Sequence, residues 1–333
     1  MIAVTGANGL LGSFVVRKLI QQNETFKAIK REGSDVSLLD DVNNKVTWCE
    51  ADILDTVNLS EAFKDVTQVI HTAAAVSFNP RRAAQVLDIN VQGTRNVVNT
   101  CLAQGIQRLV HVSSVAALGR QKGDKSVAEN NKWVDTPQNS VYAKAKYLAE
   151  LEIFRGQEEG ISTVIISPSV ILAEANWNLS SAQLFKYVWD QKPFYFDGPL
   201  NYVDVIDVAD LIYALLYSGI EGERFIASAG KISFKDFFDR VAKEFNKKGP
   251  SIRLTKNLLG IGAFAEGLRS RIAGVEPRLT RETARLAGGQ FIFENQKIKN
   301  RLNFEFRPID KTLQRCCAYY AEKMKSGKLA ERS

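Results

Sequence analysis

Tyr142 and Lys146 are the residues of this sequence whose types and spacing most directly suggest chemistry. Four positions apart on a predicted helix, they lie one turn apart on the same face. A lysine cation beside a phenol stabilises the phenolate, so the phenol can exchange a proton nearer neutral pH than its ordinary pKa of ~10 allows. That is the general acid/base chemistry that a carbonyl or an alcohol needs during hydride transfer. Because a Tyr-x-x-x-Lys spacing also occurs by chance on surface helices, its meaning depends on the turn that opens the chain.

That turn contains three glycines with the spacing G-x-x-G-x-x-G, which follow an apolar predicted strand and begin a predicted helix. Gly6 permits the tight turn, Gly9 lets the backbone approach a pyrophosphate at the helix N-terminus, and Gly12 lets helix and sheet pack closely. This context predicts a bound dinucleotide that carries the hydride, whereas a plain strand-turn-helix corner would not need the whole pattern. We expect dinucleotide contacts from Gly6, Asn8, Gly9, Leu10, Leu11 and Gly12.

The end of the second predicted strand bears on the choice between NAD and NADP. A strand of an NAD-binding protein usually ends in an acidic side chain that binds the ribose hydroxyls. Here the strand ends on Lys30 and Arg31, which suit a 2′-phosphate, although Glu32 could bind the ribose if the strand ended later. We therefore favour NADP(H) over NAD(H), the alternative being a basic pair on the surface. Asp52, after the third predicted strand, is a candidate partner for the adenine amino group, or a cap of its own turn.

The elements that must position these residues alternate between strand and helix through the first half of the chain. Such alternation predicts an α/β fold, a Rossmann-type doubly wound parallel sheet, with a smaller, mostly helical substrate lobe. Continuous apolar runs predict strands buried on both faces at 2–4, 26–29, 46–49, 68–71, 108–112 and 163–166. A long helix is predicted from about Arg82 to Ala103, and the helix that carries Tyr142 and Lys146 is predicted to extend to about Gln157.

The pattern also predicts how the chain divides. Residues 1–170 are expected to form the dinucleotide-binding domain, to which residues 201–228 return as strand, helix and strand. Residues 171–200 and 229–325 are expected to form the substrate-binding lobe, followed by a polar tail at 326–333. The apolar segment 258–268 is expected to be a lobe helix or a contact of a possible homodimer, the alternative being a substrate lid or a membrane-surface helix.

The bulk composition argues against several other classes of protein. The 333 residues carry a formal net charge of +7, but the lysines and arginines are spread along the chain without a dense basic run. We therefore predict a solvated surface and no nucleic-acid site. No apolar run approaches the ~20 residues of a membrane span, and a strand that begins at Met1 leaves no room for a signal peptide.

The cysteines and histidines point to no metal site. Neither a metal-ligand spacing nor a disulfide framework is present among Cys49, Cys101, Cys316 and Cys317. His71 and His111 lie in apolar strand-like runs, so we expect buried structural histidines rather than ligands. A reducing, cytoplasmic environment fits this composition.

The motifs, taken in order over nearly the full length of the chain, resemble those of the extended short-chain dehydrogenase/reductase family. They are Gly6-x-x-Gly9-x-x-Gly12, Asp52-Ile53, His71-Thr72-Ala73-Ala74, Asn90-Val91-Gln92-Gly93-Thr94, Ser113-Ser114, Tyr142-x-x-x-Lys146, and Tyr202-Val203-Asp204-Val205 before Asp207-Val208-Ala209. Such a series is specific for fold and cofactor class, and it is not specific for substrate.

The resemblance implies roles for individual residues. It implies that Ser114, five positions before Gly119, is the catalytic serine, with Ser113 as the nearby alternative. Ser114 and Tyr142 would both hydrogen-bond the reacting oxygen, and Lys146 would also hold the nicotinamide ribose. The further cofactor contacts that the resemblance implies are Asp52, Ile53, Thr72, Ala73, Ala74, Tyr142, Lys146, Pro168 and Val170.

Departures from the family pattern narrow the chemistry. Sugar-nucleotide dehydratases of this family have an Asp-Glu pair directly after the active-site hydroxyl residue, where this chain has Val115 and Ala116. Sugar-nucleotide enzymes also often begin the turn after the sixth strand with Arg-Pro, where this chain has Ser167-Pro168. With an apolar segment at 73–78, the chain resembles the branch of dihydroflavonol reductases, 3β-hydroxysteroid dehydrogenases and aldehyde reductases.

Three functions follow as hypotheses. The leading one is an NAD(P)(H)-dependent oxidoreductase that reduces a ketone or aldehyde of a mostly apolar small molecule, or oxidises the alcohol, with Tyr142 as general acid/base. The second is a nucleotide-sugar epimerase with tightly bound NAD. The third is a dinucleotide-sensing binding protein without turnover, against which the intact set of Ser114, Tyr142 and Lys146 argues.

Overall fold

The computed structural model describes residues 1–120, 125–136, 139–177, 181–254 and 291–326. The strands are β1 (Ile2–Thr5), β2 (Phe26–Lys30), β3 (Trp48–Glu50), β4 (Gln68–His71), β5 (Arg108–Val112), β6 (Ser126–Val127), β7 (Ser162–Pro168), β8 (Val170–Leu172), β9 (Phe194–Phe196), β10 (Pro199–Asp204), β11 (Glu223–Ala227), β12 (Gly230–Ser233), β13 (Ile252–Leu254) and β14 (Ile292–Phe293). The helices are α1 (Leu10–Gln21), α2 (Thr56–Ala62), α3 (Ala83–Leu87), α4 (Gly93–Ala103), α5 (Val141–Glu158), α6 (Ala182–Trp189), α7 (Val205–Tyr217), α8 (Phe234–Glu244), α9 (Gln296–Leu302) and α10 (Ile309–Lys325). None of the helices in these ranges combines the length and the apolar character that crossing a membrane requires.

Seven of the strands form one parallel sheet, in the order β3-β2-β1-β4-β5-β7-β11. The strand order reverses beside β1, so a crevice opens between the carboxyl ends of β1 and β4, where open α/β sheets bind their ligands. The predicted Rossmann-type doubly wound sheet is confirmed. The residues that return to it after residue 200 supply α7 and the edge strand β11.

Alternation along each strand gives the sheet two apolar faces. Ile2 and Val4 pack with buried residues of α1 and α7 on one face. Ala3, between them, packs with buried residues of α2, α4 and α5 on the other face. Helices therefore cover both sides, and burial of these apolar side chains is the main favourable contribution to the stability of this part of the fold.

A third apolar cluster joins α6, α8 and α10 beside the sheet. Its largest fully buried side chains include Phe185, Phe237 and Tyr320. The cluster is tied to the parallel sheet region through Asp204 at the end of β10, which caps α7 and accepts a hydrogen bond from Thr312 Oγ1 of α10 at 2.6 Å. About half of the described residues of the predicted lobe are helical and the others include short strands, so a mostly helical lobe and the proposed domain bounds stay predictions. The predicted apolar segment 258–268 and residues 327–333 of the tail lie outside the described residues.

The predicted long helix from Arg82 to Ala103 is wrong in one respect, because it is broken. Residues 83–87 are α-helical, residues 88–92 form a π-helical turn, and the α-helix resumes at residue 93. The Asn90 side chain pairs with both backbone groups of Ala75, at 2.8 and 2.9 Å, from within this turn. This long-range pairing accompanies the local widening of the helix and holds the loop after β4 in place.

Candidate active site

The glycine-rich turn after β1 is built around close backbone contacts. Gly6 has a left-handed φ of +68°, and a Cβ added there would lie 2.7 Å from the Cα of Ala73 in the loop after β4. A Cβ at Gly12 would overlap the carbonyl oxygen of Gly6. Only glycine fits both positions, so the turn, the start of α1 and the loop after β4 are locked together at the crevice.

The N-terminus of α1 fits an anionic ligand. Gly9 caps the helix without a side-chain hydrogen bond, and the first turn carries no acidic residue. The first backbone N–H groups of the helix therefore remain available where its dipole favours negative charge. Asn8 donates from Nδ2 to the carbonyl of Asp35 at 3.1 Å, which ties the turn to the loop after β2. Leu10 and Leu11 begin the helix at this point, so the arrangement suits the pyrophosphate of a dinucleotide.

A groove of about 780 Å³ lies beside the carboxyl ends of β2 and β3. Its lining residues are Arg31, Glu32, Gly33, Ser34, Glu50, Ala51, Asp52, Asp55 and Asn58. Lys30 makes an ion pair with Glu50, so it is partly neutralised. The side chains of Arg31 and Glu32 are exposed and have no hydrogen bond or ion pair within the described parts of the chain. The groove therefore offers a 2′-phosphate one unpaired cation, which competes with the carboxylates of Glu32, Glu50, Asp52 and Asp55.

Asp52 lines this groove, and Ile53, the next residue, is buried. The Asp52 carboxylate accepts the Leu54 N–H at 2.9 Å, so it does cap its own turn, and this leaves its proposed role toward adenine a prediction. Ile53 is buried against Gly93 at the start of α4, and its carbonyl accepts a hydrogen bond from Asn96 at 2.9 Å. The contact at Gly93 explains why a side chain there would require Ile53 to move.

The loop after β4 completes the predicted cofactor surface. Thr72 donates from Oγ1 to the carbonyl of Thr5 at 2.7 Å, which joins the ends of the two central strands. Ala73 packs against Gly6, and Ala74 is exposed. The structure thus brings together the glycine turn and this loop on either side of one crevice.

Ser114 and Tyr142 are brought together, as the motif predicts. Ser140 caps α5 by accepting the Ala143 N–H at 2.8 Å, which starts the helix just before the tyrosine. The Ser114 hydroxyl lies close enough to Tyr142 to influence its phenol, and Ser114 Oγ accepts the Ala116 N–H at 3.2 Å. Burial raises the pKa of Tyr142, and the Ser114 hydrogen bond opposes that effect. The edge of Phe78 contacts the Tyr142 ring, with centroids 5.8 Å apart, and forms an apolar wall.

Lys146 lies one turn beyond Tyr142 and is 2% exposed. Its Nζ donates to the carbonyl of Val112, at the end of β5, at 2.7 Å. Burial lowers its pKa to about 8, and the negative charge of Glu150 opposes that effect. A buried lysine that is still largely protonated at neutral pH can stabilise a phenolate on the neighbouring turn.

Glu150 and Arg224 are partners of this site that the sequence analysis missed. Glu150 is 1% exposed and forms an ion pair with Arg224 of β11 at 2.5 Å, while Ser167 donates to it at 3.3 Å. The spacing of Tyr142, Lys146 and Glu150, each one turn after the last, could have pointed to Glu150. Nothing in the local sequence points to Arg224, which is 74 positions away.

His71 and His111 lie below the site as a buried ring pair, with centroids 5.1 Å apart. Thr94 donates its hydroxyl proton to the Asn90 carbonyl, so its oxygen accepts from His71 Nε2 at 3.1 Å, and His71 Nδ1 accepts from Thr5 at 2.7 Å. Burial lowers the pKa of His71 to about 3 and that of His111 well below its usual value. Both rings are neutral and structural at physiological pH, as predicted from their apolar surroundings.

Pro168 and Val170 lie at the carboxyl end of β7 and at the start of β8. Pro168 ends β7, beside the strand that leads to Ser114, and it is buried. Val170 is 39% exposed and pairs with Tyr202 of β10. The structure therefore places Pro168 on the strand beside the one that leads to Ser114, and the contact of Pro168 and Val170 with nicotinamide stays a prediction.

Comparison with known proteins identifies the family. The model of the NAD-dependent epimerase/dehydratase family matches residues 2–226, about two thirds of the chain. The chain belongs to this family. The resemblance inferred from the motifs is confirmed, and this epimerase/dehydratase-family protein is an NAD(P)-dependent enzyme of the extended short-chain dehydrogenase/reductase type.

Similar proteins within this group include reductases. The family member described here is 26% identical to cinnamoyl-CoA reductase 1 of Petunia hybrida over 94% of this chain and 90% of that protein. It is 26% identical to sterol demethylase protein B of Methylococcus capsulatus over 80% of this chain and 82% of that protein. Among solved structures, that of gox2253 is similar with a TM-score of 0.82 and 29% identity, over 97% of this chain and 98% of that one.

Proposed function

We propose that this enzyme is an NADP(H)-dependent oxidoreductase that reduces a ketone or aldehyde of a mostly apolar small molecule, or oxidises the corresponding alcohol. The observation that carries the proposal is the assembled set of Ser114, Tyr142 and buried Lys146 at the carboxyl edge of the sheet. When bound, the cofactor supplies or accepts the hydride. The protein must then orient the reacting oxygen, move one proton and exclude water.

The chain's own groups account for these tasks in the direction of reduction. Ser114 would donate a hydrogen bond to the substrate oxygen, since its hydroxyl lies beside Tyr142 and its Oγ is held by the Ala116 N–H. Tyr142 would give its phenolic proton to the oxygen as negative charge develops there. Lys146 would stabilise the phenolate that remains, because its ammonium group lies one turn away in a site of low dielectric.

The preference for NADP(H) is supported by the exposed guanidinium of Arg31 in the groove beside the carboxyl ends of β2 and β3. Arginine can bind a phosphate with two parallel hydrogen bonds. Lys30 supports the preference less than the sequence suggests, because it pairs with Glu50. Glu32 is the residue through which NAD(H) would instead be favoured.

The substrate class is supported by what surrounds the catalytic hydroxyls. Phe78 packs against Tyr142, and Val115 and Ala116 occupy the turn directly after Ser114. These side chains provide no second acid or base of the kind that a sugar dehydration needs. Similarity to cinnamoyl-CoA reductase 1 and to sterol demethylase protein B points in the same direction.

A screen of purified protein against aliphatic, aromatic and alicyclic ketones and aldehydes tests the proposal, with NADPH consumption as the readout. We expect measurable reduction of at least one apolar carbonyl compound and none by the Tyr142→Phe variant. A protein that binds NADPH but reduces no member of a broad panel would contradict the reductase function. Consumption that persists at the same rate in Tyr142→Phe would contradict the assigned proton donor.

A further inference from the structure

Arg120 lies directly after the catalytic turn. Its guanidinium contacts the carbonyl oxygen of Ala116, with Nη2 at 3.5 Å. The N–H of the same Ala116 donates to Ser114 Oγ at 3.2 Å. One residue of backbone therefore separates the guanidinium from the hydroxyl that is proposed to orient the reacting oxygen.

No carboxylate neutralises Arg120 within the described parts of the chain. The guanidinium is half-buried and lies over the ring of Phe291, 5.2 Å from its centroid. Burial lowers its pKa, and no acidic group of the described residues opposes the effect. Elsewhere in the same fold, Arg224, Arg307 and Arg315 each have a carboxylate within 3.3 Å. A partly desolvated cation without a counter-ion is costly unless a ligand supplies the opposite charge.

Three buried polar side chains lie on β10 or at the ends of the neighbouring strands, and one of them contacts Phe291. Asn201 donates to the Phe291 carbonyl at 3.3 Å, and its own carbonyl oxygen has no partner in the described structure. Asn201 directly precedes Tyr202, which pairs with Val170, and Ser169 and Ser228 directly follow the paired residues Pro168 and Ala227. Both serine hydroxyls also lack partners among these residues, and the three side chains are 9%, 7% and 1% exposed. Buried polar atoms are normally paired, so such a group suggests a polar ligand that completes it.

We propose that Arg120 binds a carboxylate carried by the substrate, so that the substrate is a carbonyl compound with one acidic group on an otherwise apolar frame. The planar guanidinium can form two parallel hydrogen bonds to a carboxylate, and one positive charge matches one negative charge. The hydroxyls of Ser169 and Ser228 are suited to donate to further substrate oxygens. This inference deepens the proposed reductase function and rests on it.

The test uses matched pairs of keto acids and their primary keto amides with NADPH. The members of a pair have nearly the same shape and differ in charge, so their ratio of kcat/KM isolates the recognition of the carboxylate. We expect the wild type to favour the acid by about 10- to 100-fold in at least one pair, the range expected for hydrogen bonds to a charged group. Arg120→Met should bring the two members to within about threefold, because kcat/KM should fall much more for the acid than for the amide.

Lys125→Met is the matched control. Lys125 is exposed and lies five positions after Arg120, and the substitution removes the same unit charge. It should therefore leave the acid-to-amide ratio as in the wild type. Arg120→Lys should restore part of the preference, because it keeps the charge but loses the planar pair of donors. An Arg120→Met variant that lowers acid and amide rates equally would show that Arg120 only supports the loop, and would overturn the proposal.

Two further outcomes separate this inference from the function on which it rests. Reduction of amides as efficiently as acids by the wild type would overturn the carboxylate site and leave the reductase function standing. If no pair is reduced, the keto acids and amides are compared as thermal stabilisers of the NADP⁺ complex, and equal stabilisation would again overturn the site. Stabilisation by UDP-glucose that is lost in Arg120→Met would assign the guanidinium to a diphosphate and overturn both proposals.

Discussion

Lys146→Met tests the electrostatic reasoning about the site most directly. The lysine is buried one turn from Tyr142, and Cβ atoms at this spacing lie about 5–6 Å apart, which we take as the order of the separation between the two charges. At that separation and an effective dielectric constant of about 20, the charge stabilises a phenolate by about 3 kcal/mol. Its removal should raise the pKa of Tyr142 further and slow alcohol oxidation near pH 7 on the order of 10²-fold. It should also weaken cofactor binding if Lys146 holds the nicotinamide ribose.

The same variant has a predicted effect on stability with a definite sign. The pKa of Lys146 falls from its usual 10.5 to about 8 on folding, so between these values the unfolded chain holds a proton that the folded protein has lost. Stability of the wild type must therefore rise with pH across this window, by about 3 kcal/mol in all. Lys146→Met lacks this titration. The free energy of unfolding of the variant relative to that of the wild type should therefore be highest below pH 8 and should fall toward pH 10.5. A cost of about 1–3 kcal/mol for the unpaired Val112 carbonyl adds to this difference and does not depend on pH.

Urea unfolding of wild type and variant at pH 7 and pH 10 measures this difference, since other titrating groups cancel between the two proteins. Lys144→Met is the control, because Lys144 lies on the same helix, is exposed and pairs only with exposed Asp135 at 3.0 Å among the described residues. It should change neither the rate nor the pH dependence appreciably. A free-energy difference between wild type and Lys146→Met that is the same at both pH values would refute the depressed pKa. Ordinary turnover with an unchanged pH profile would show that Lys146 only packs against the sheet.

The remaining predictions concern the proton donor, the cofactor and the substrate class. Tyr142→Phe should lower kcat on the order of 10²-fold or more with nearly unchanged cofactor affinity, whereas Tyr147→Phe on the same helix should leave kcat nearly unchanged. Equal kcat values for the wild type and Tyr142→Phe would contradict the assignment of the proton donor. Arg31→Ala should weaken NADPH binding by roughly 1–3 kcal/mol in titrations and leave NADH nearly untouched, whereas equal affinity of the wild type for both would rule out the NADP preference and direct attention to Glu32. UDP- and dTDP-sugars should give no thermal stabilisation beyond that of the cofactor alone, because burying an unpaired diphosphate is costly, and a clear shift at sub-millimolar concentration would favour the epimerase hypothesis.

The features that the sequence predicted correctly depend on neighbouring residues. The glycine turn requires a left-handed residue at Gly6 and a missing side chain at Gly12, and both needs are visible in a few consecutive letters. Tyr142 and Lys146 share a face because an α-helix repeats about every four residues. The buried strands were visible as short apolar runs, so the parallel sheet could be predicted, whereas the crevice beside β1 follows from the strand order that the structure shows.

The features that the sequence did not predict depend on residues that are distant along the chain. The break between α3 and α4 accompanies the pairing of Asn90 with Ala75. A helical pattern of apolar residues does not indicate this pairing, because the two residues are 15 positions apart. Lys30 is a poorer phosphate ligand than its position suggested, because Glu50 of the adjacent strand neutralises it. Arg120 is a candidate for substrate binding only because the fold brings it to Phe291 and away from every carboxylate in the described residues.

The group behind Lys146 explains what separates a working Tyr-x-x-x-Lys pair from a chance one. A lysine buried without a counter-charge would lose its proton, and with it the ability to stabilise a phenolate. Glu150 keeps the pKa of Lys146 from falling further, and Arg224 in turn holds the buried Glu150 carboxylate in place. Lys144, two positions earlier, is exposed and pairs with an exposed aspartate, so its charge is screened by water and contributes little to the tyrosine. A lysine of this motif can therefore stabilise a phenolate when it is buried and has a buried counter-ion, and the spacing of tyrosine and lysine alone does not reveal either condition.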